Sequence, residues 1–350
     1  MNITWSLVRR HATAISVMLI GMAVLWGVLW ILAAAQYRTV IDNWIAVEKA
    51  RGNEVSYSDR TTGGFPRSID IRFTDFRWHD QSGGKAQTQE LTLAAYPWNW
   101  HIFTLEFWQN TELTIPYPDD KDSLTIYSNQ GSGRVTISED NDWEYASLNF
   151  LDVRAVKPSR ELFIAKDLSF TIGRPEHPPT SYTELGISLV AQAHNMHINP
   201  QEPSPFGDDV PFIDTSLHVM GPLPDFSNRE SVNSWSNSGG IVEFKKFNLE
   251  WGPLLLAAKG SLGFDDDLQA EGAFFGQIGG HDEVIKALLE HEWIAKRQAG
   301  MLNSALNLFA KPSKLTGKPS IEVPITVQLG GLFLGPVQIF AFPDIAWAKN

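Results

Sequence analysis

The sequence contains no cysteine. This absence excludes disulfides, thiolate nucleophiles and cysteine-ligated metals, and it suits a bacterial envelope protein better than a small secreted scaffold. The sequence also lacks a phosphate-binding loop, a G-x-G-x-x-G turn and a G-x-S-x-G nucleophile elbow. Acidic residues are so numerous that no pair stands out as catalytic. We therefore predict a protein that is not an enzyme and needs no cofactor.

Two patterns resemble metal sites only superficially. His194 and His197 would share one face of a helix, but Ile187 and Leu189 upstream alternate with polar residues as in a strand. Residues three apart in a strand point to opposite faces, so we predict no zinc site there. The acidic run at 265–267 lacks the glycine and distal glutamate of an EF-hand loop, which indicates a hairpin turn.

Basic side chains are the scarcer charge. The chain carries 28 Lys and Arg against 40 Asp and Glu, a net charge of −12 at pH 7. Arg9 and Arg10 precede every acidic residue, so residues 36–350 hold 26 basic against 40 acidic side chains, a net charge of −14. Such a domain repels phosphate backbones, and we predict that it does not bind nucleic acid.

Charge is absent altogether from Ala12 to Tyr37. At about 1.5 Å per residue, the apolar residues 12–35 cover roughly 36 Å, enough to cross the hydrocarbon core of a bilayer. A cleavable signal peptide is the alternative, because Ala33 and Ala35 resemble a cleavage site. Its apolar region is normally only about 7–15 residues long, so we predict a retained transmembrane anchor over residues 12–35.

The charges that flank the anchor predict its orientation. Arg9 and Arg10 precede it without an acidic residue, whereas Arg38 and Asp42 cancel after it. The positive-inside rule therefore places residues 1–11 in the cytoplasm as a short tail, and the rest of the chain outside. In a bacterium this describes a single-pass inner-membrane protein with a periplasmic C-terminal domain.

The period of the apolar residues changes after the anchor. It is helical over residues 36–52, which predicts an amphipathic helix that ends at Gly52. From Val55 onward the period is two, as in strands with one buried face. Three runs alternate clearly: Ile69, Ile71 and Phe73; Leu168, Phe170 and Ile172; and Ile321, Val323, Ile325, Val327 and Leu329.

These patterns predict a mainly β fold with a few helices, in which the transmembrane helix is followed by a long, curved antiparallel sheet. We expect a β-rich N-terminal lobe over residues 53–198, a loop and short helix over 199–239, and a C-terminal β/α lobe over 240–350. Helical periodicity recurs between residues 284 and 309, and Gly300 is expected to separate two packed helices there.

The C-terminal third resembles a known family. The resemblance is carried by Asn248-Leu249-Glu250-Trp251-Gly252-Pro253, Lys259-Gly260-Ser261-Leu262-Gly263-Phe264-Asp265, Gly331-Leu332-Phe333-Leu334-Gly335-Pro336 and Phe342-Pro343-Asp344. This order is similar to that of an uncharacterised alphaproteobacterial envelope family, domain of unknown function 2125, which in turn is similar to AsmA-like proteins. The resemblance implies an inner-membrane anchor, a periplasmic β-groove and a role in lipid handling or outer-membrane assembly. It assigns no site residue.

Two functions are compatible with this reading. In the first, phospholipid or another acyl lipid lies along an apolar groove, and envelope proteins extend the path because about 15 strands give only about 70 Å. The predicted lining is Ile69, Ile71, Phe73, Leu168, Phe170 and Ile172. In the second, a structural scaffold has an ordinary closed core.

The Gly64-Phe65-Pro66 segment has two interpretations as well. It is either a turn that fixes the mouth of the groove near the membrane, or a tight turn in which Phe65 fills a core. A second turn is expected at Asn129-Gln130-Gly131, since all three residue types favour turns or loops.

Overall fold

The computed structural model describes residues 3–116, 123–138, 143–201, 203–226, 228–265, 267–311, 320–335, 337–342 and 345. Side chains are described from residue 15 onward, apart from residue 305 and residues 307–311. The first two residues of the predicted cytoplasmic tail lie outside the described residues, as do Pro336, Pro343 and Asp344 of the family-like motifs.

One long helix begins the chain. α1 runs from Ile3 to Ala50 without a break, so the predicted anchor and the predicted amphipathic helix are two parts of a single element. Gly52 follows with φ of 84°, a left-handed conformation that suits glycine and ends helices. The segment Ile15–Ala50 is long and apolar enough to span a membrane.

The strands form one open antiparallel sheet, as the alternating pattern predicted. Its 17 strands are joined almost entirely in chain order, and the first and last strands do not pair with each other among the described residues. β1 and β2 both pair with β3, and β14 and β16 both pair with β15. The strands are β1 (Glu54–Ser56), β2 (Asp59–Gly63), β3 (Ile69–His79), β4 (Lys85–Tyr96), β5 (Asn99–Pro116), β6 (Ser123–Ile137), β7 (Trp143–Lys157), β8 (Arg160–Gly173), β9 (Leu185–Ile198), β10 (Asp209–Met220), β11 (Val242–Trp251), β12 (Leu254–Phe264), β13 (Ala270–Gly279), β14 (Ala310–Lys311), β15 (Ser320–Gln328), β16 (Gly331–Leu334) and β17 (Val337–Ala341).

In the part of the chain that the structure describes, three further helices interrupt the order of the strands. α2 (Arg229–Asn237) lies between β10 and β11, where a short helix was expected, and Asn228 caps it by accepting hydrogen bonds from two backbone amides. α3 (His281–Glu290) and α4 (Lys296–Phe309) lie between β13 and β14. The prediction that Gly300 separates these helices is wrong. Gly300 lies inside α4, which continues through it, and no atom lies within 4 Å of the position that a Cβ atom would occupy.

A line of left-handed residues crosses the N-terminal half of the sheet. These residues lie at the same level in β3, β5, β7 and β9, and their φ angles are between 48° and 61°. Aspartate and asparagine adopt this conformation more readily than other residues with a side chain. We call this feature the kink line; it consists of Asp75, Gln109, Asn110, Asp152 and Asn195.

The kink line breaks the strict alternation of the strands. Phe73 and Phe76 are both buried on the inner face, with two outward residues between them, and Phe150 and Val153 repeat this spacing in β7. An extra residue that interrupts the alternation bends a strand locally. The predicted curvature of the sheet is therefore expected at these residues.

At the kink line, some backbone carbonyl groups have no partner in the neighbouring strand, and buried hydroxyl groups donate hydrogen bonds to them. Thr88 donates to the carbonyl of Trp108 at 3.1 Å, and Thr111 donates to the hydroxyl of Thr88 at 3.0 Å. Ser128 bonds the carbonyl of Leu151 at 2.7 Å. Buried carbonyl groups need such partners, which explains why these polar side chains lie within an apolar face.

Candidate functional site

Three continuous rows of apolar residues cross the inner face of the sheet. Residues that stand directly opposite one another in antiparallel strands point to the same side, so the register traces each row from strand to strand. The first row is Phe73, Leu91, Phe107, Gly131, Phe150, Leu168, Ala193, Ile213, Leu249, Leu256, Ile278 and Ile321.

The other two rows run parallel to the first. The second row is Ile71, Leu93, Leu105, Gly133, Leu148, Phe170, Ala191, Thr215, Phe247, Ala258, Gly276 and Val323. The third row is Ile69, Ala95, Phe103, Val135, Ala146, Ile172, Leu189, Leu217, Phe244, Gly260, Phe274 and Ile325. Only Thr215 is polar among the three rows.

The six predicted lining residues all belong to these rows. Phe73 and Leu168 lie in the first row, Ile71 and Phe170 in the second, and Ile69 and Ile172 in the third. The two sequence runs therefore face the same side of one sheet, although they are five strands apart. Their surroundings nevertheless differ.

The end of the rows at β3 is covered by α1. Ile69, Ile71 and Phe73 are at most 3% exposed, and they form one buried cluster with residues of α1 that recur at helical spacing. Tyr37 of α1 also stacks on Phe103 in β5, with ring centroids 5.7 Å apart. The α1 residues of this cluster are Ala34, Tyr37, Ile41 and Ile45. Here the inner face is a closed core.

The opposite end is covered by α3 and α4. Leu288 of α3 and Leu302 of α4 are buried in one cluster with Ile278, Ile321 and Val323 of the rows. Their packing closes the inner face over β13 and β15 in the same way as α1 closes it over β3. A helix thus lies over each end of the rows.

Between these ends, the buried cluster of the described residues contains no residue of a helix. The central buried cluster consists entirely of residues from β4 to β10. Leu168 is buried within it, Ile172 is partly buried, and the side chain of Phe170 is 41% exposed. The stretch from β6 to β11 spans roughly 24 Å at about 4.8 Å per strand.

Glycine makes room for large side chains on this face. A Cβ atom on Gly131 would lie 2.1 Å from the ring of Phe107, and one on Gly133 would lie 2.8 Å from Leu105. The turn expected at residues 129–131 is therefore wrong, because all three residues lie inside β6. Glycine serves close packing here, and Asn129 lies opposite the kink line.

The segment Gly64-Phe65-Pro66 forms a tight turn between β2 and β3 beside α1. Gly64 has φ of 95°, as expected for a turn that needs glycine. Phe65 does not fill a core, contrary to one interpretation of the sequence: it is 56% exposed and packs edge-on against Trp30 at 5.5 Å. The turn thus lies beside the apolar segment of α1.

A buried carboxylate fixes the other end of α1 to the sheet. Glu48 accepts hydrogen bonds from Asn53 at 2.7 Å and from the indole of Trp78 in β3 at 2.9 Å. These two bonds, with the nearby guanidinium of Arg51, hold the pKa of Glu48 below its ordinary value. The helix is therefore attached to β3 by both apolar and polar contacts.

The outer face carries two separate histidine–aspartate pairs. His194 lies 2.5 Å from Asp167 in β8, and His197 lies 2.8 Å from Asp209 in β10. The prediction that the two histidines point to opposite faces is wrong, because the left-handed Asn195 breaks the alternation and turns both outward. Among the residues that the structure describes, no group of three or more candidate metal ligands converges.

The whole sheet falls within the match to one protein family. A bacterial family described as "Uncharacterized protein conserved in bacteria (DUF2125)" matches residues 30–343, nearly the entire chain. The chain belongs to the DUF2125 family. The match begins within α1 and ends after β17, so the family includes the rows and the helices that cover their ends. No curated protein matches the sequence.

The sequence predicts the apolar face correctly, but not which parts of it the helices cover. The three rows depend on pairing between distant strands, which alternation in a single strand does not specify. The sequence carries one signal of the kink. In β3 and β7, the apolar residues before and after the kink line are three positions apart, an interval that neither a regular strand nor a turn explains. Asp or Asn between such residues marks the kink.

Proposed function

We propose that this protein holds the acyl chains of a lipid along the three rows, in a lipid-binding or lipid-transfer role in envelope biogenesis. The observation that supports this most directly is the central stretch from β6 to β11. There the inner face is apolar, and the buried cluster contains no helix residue. A helix covers the same rows at each end, so an apolar occupant of the centre would complete the pattern.

The dimensions suit an acyl chain. A bilayer core of about 30 Å contains two leaflets, so one chain covers about 15 Å. The central stretch of roughly 24 Å accommodates more than one chain length along the rows. Burial of apolar surface, at about 25 cal/mol per Å², favours such binding without any specific polar contact.

We further propose that the protein is not an enzyme and resides in the inner membrane, with its sheet in the periplasm. The apolar segment of α1 and the two arginines before it support this arrangement. The whole sheet measures roughly 70 Å across its strands, so transfer across an envelope would require partner proteins that extend the path.

Phe170→Asp tests lipid binding at the residue level. Phe170 is exposed on the inner face, so a carboxylate there would meet acyl chains and should expel lipid while the sheet remains folded. Lipid that co-purifies with the full chain in mild detergent is measured by mass spectrometry, and folding by circular dichroism. We expect a several-fold loss of lipid from the variant.

Thr171→Asp is the matched control, because Thr171 is the next residue and points to the outer face. It should retain the lipid of the wild type. If the wild type carries no lipid and Phe170→Asp unfolds the sheet, the rows are a closed core. The closed cluster under α1 favours that second function, a non-catalytic scaffold, at one end of the sheet.

A further inference from the structure

Two turns of the sheet contact α1 within its uncharged segment. The indole nitrogen of Trp26 donates to the carbonyl of Pro66 at 3.1 Å, and that of Trp30 donates to the carbonyl of Ser68 at 2.7 Å. Trp26 also stacks against Trp98, in the turn between β4 and β5, with centroids 6.2 Å apart. Both turns therefore lie at the level of residues 26–30 of the helix.

That level lies inside the hydrocarbon core if α1 spans a bilayer. Crossing the core requires about 20 residues, and the uncharged stretch extends from Ala12 to Tyr37. Every window of about 20 residues in this stretch contains both Trp26 and Trp30. The turns that accept hydrogen bonds from these two side chains therefore lie at the same depth in the bilayer, where lipid surrounds the helix.

The side chains of these turns suit a lipid environment. Phe65 and Trp98 lie in the turns, and Trp100 lies at the start of β5. They are 56%, 60% and 53% exposed, respectively, and we call these three residues the aromatic edge. Tryptophan and other aromatic rings are enriched where a bilayer core meets its headgroups. The exposed Arg67 beside Phe65 is long enough to reach lipid phosphates from this depth.

The backbone polar groups of the turns are also compatible with immersion. In hydrocarbon, each donor and acceptor needs a partner within the protein, and the carbonyls of Pro66 and Ser68 receive theirs from α1. The amides of Arg67 and Ser68 donate to the carbonyl of Gly64. These bonds remove much of the cost of placing a turn in lipid.

We propose that the aromatic edge inserts into the bilayer leaflet on the side of the sheet, as a second membrane contact besides α1. The partner is the acyl and headgroup region of a phospholipid bilayer. The third row begins next to this edge, at Ile69 and Ala95, so insertion brings the end of the row to the leaflet surface. This contact does not depend on lipid occupancy of the central stretch.

The absence of native cysteine makes the test direct, because a single introduced cysteine takes the only label. The full-length variants Trp98→Cys and Trp100→Cys are labelled with bimane in vesicles of phosphatidylcholine and phosphatidylglycerol. Quenching by doxyl-labelled phosphatidylcholine is compared with quenching by aqueous iodide. We expect lipid quenching to exceed iodide quenching several-fold at both positions.

Ser82→Cys provides the control, since Ser82 is exposed in the turn between β3 and β4, at the opposite edge of the sheet. Its label should be quenched by iodide and hardly by the doxyl lipid. Labels at positions 98 and 100 that behave like the one at position 82 would overturn the proposal. Trp100→Cys keeps the contact between Trp26 and Trp98. If Trp98→Cys fails to fold, the label at position 100 still tests the proposal. Lipid content measured on the wild type is a separate result and distinguishes failure of this contact from failure of the groove.

Discussion

At the residue scale, glycine decides how closely the strands of the inner face approach large side chains. Gly131 belongs to the first row, between Phe107 and Phe150 of the neighbouring strands. Those two rings are tilted against each other with centroids 5.3 Å apart, across the position where a side chain of residue 131 would lie. A small residue on one strand thus lets two aromatic residues on its neighbours meet.

Gly131→Ala should destabilise the sheet. The added Cβ would lie 2.1 Å from Phe107 and 2.5 Å from the carbonyl oxygen of Asn149, so ring and backbone must both shift. We expect the free energy of unfolding to fall by about 1–3 kcal/mol, as is usual for overpacking. Urea unfolding followed by circular dichroism measures it. Gly63→Ala is the control, because no atom lies within 4 Å of its added Cβ; equal effects of both changes would contradict this account.

At the scale of single strands, the kink line depends on backbone conformation rather than on side-chain contacts. Asp152 is exposed and has φ of 52°. Asp152→Gly should be tolerated, whereas Asp152→Val should cost about 1–2 kcal/mol more, because a β-branched residue fits the left-handed region poorly. Thermal unfolding of the two variants gives the difference.

A strand position without a left-handed backbone serves as the control for the kink line. Asn149→Val, on the same face of β7 and also exposed, should have little effect. If valine were tolerated equally at positions 149 and 152, the bend would have to arise elsewhere.

The strands also show what the sequence could and could not predict. Alternation located β3, β8, β9 and β15, since one buried face is enough to produce that pattern. It failed at Asn195 and at residues 129–131, where left-handed residues or their strand neighbours interrupt the period. It also failed at Leu329, which follows the end of β15 in a left-handed conformation and is 88% exposed. It gave the correct face for Ile69 and Phe170, but not that α1 covers the first and leaves the second exposed, because that difference depends on long-range packing.

At the scale of the whole molecule, α1 and the sheet are held in one fixed relative orientation. Contacts from Trp26 to Glu48 hold the helix against the first strands, so the orientation of α1 determines that of the sheet. A periplasm-dependent reporter fused after Asn350 should be active, whereas one that needs the cytoplasm should be silent. The N-terminal sequence of the mature protein is the accompanying measurement. A mature chain that begins at Gln36 would identify the apolar segment as a signal peptide and refute the anchor.

The kink line forms one continuous crease that crosses eight adjacent strands, β3 to β10. A crease holds only while every strand crosses it at the same level, since each left-handed or outward residue there has its counterpart in both neighbours. Loss of one residue at the crease would turn half a strand inside out and expose its apolar face to water. A change in the length of a hairpin therefore leaves the crease in register, whereas the loss of a residue within one strand requires matching shifts in the strands beside it.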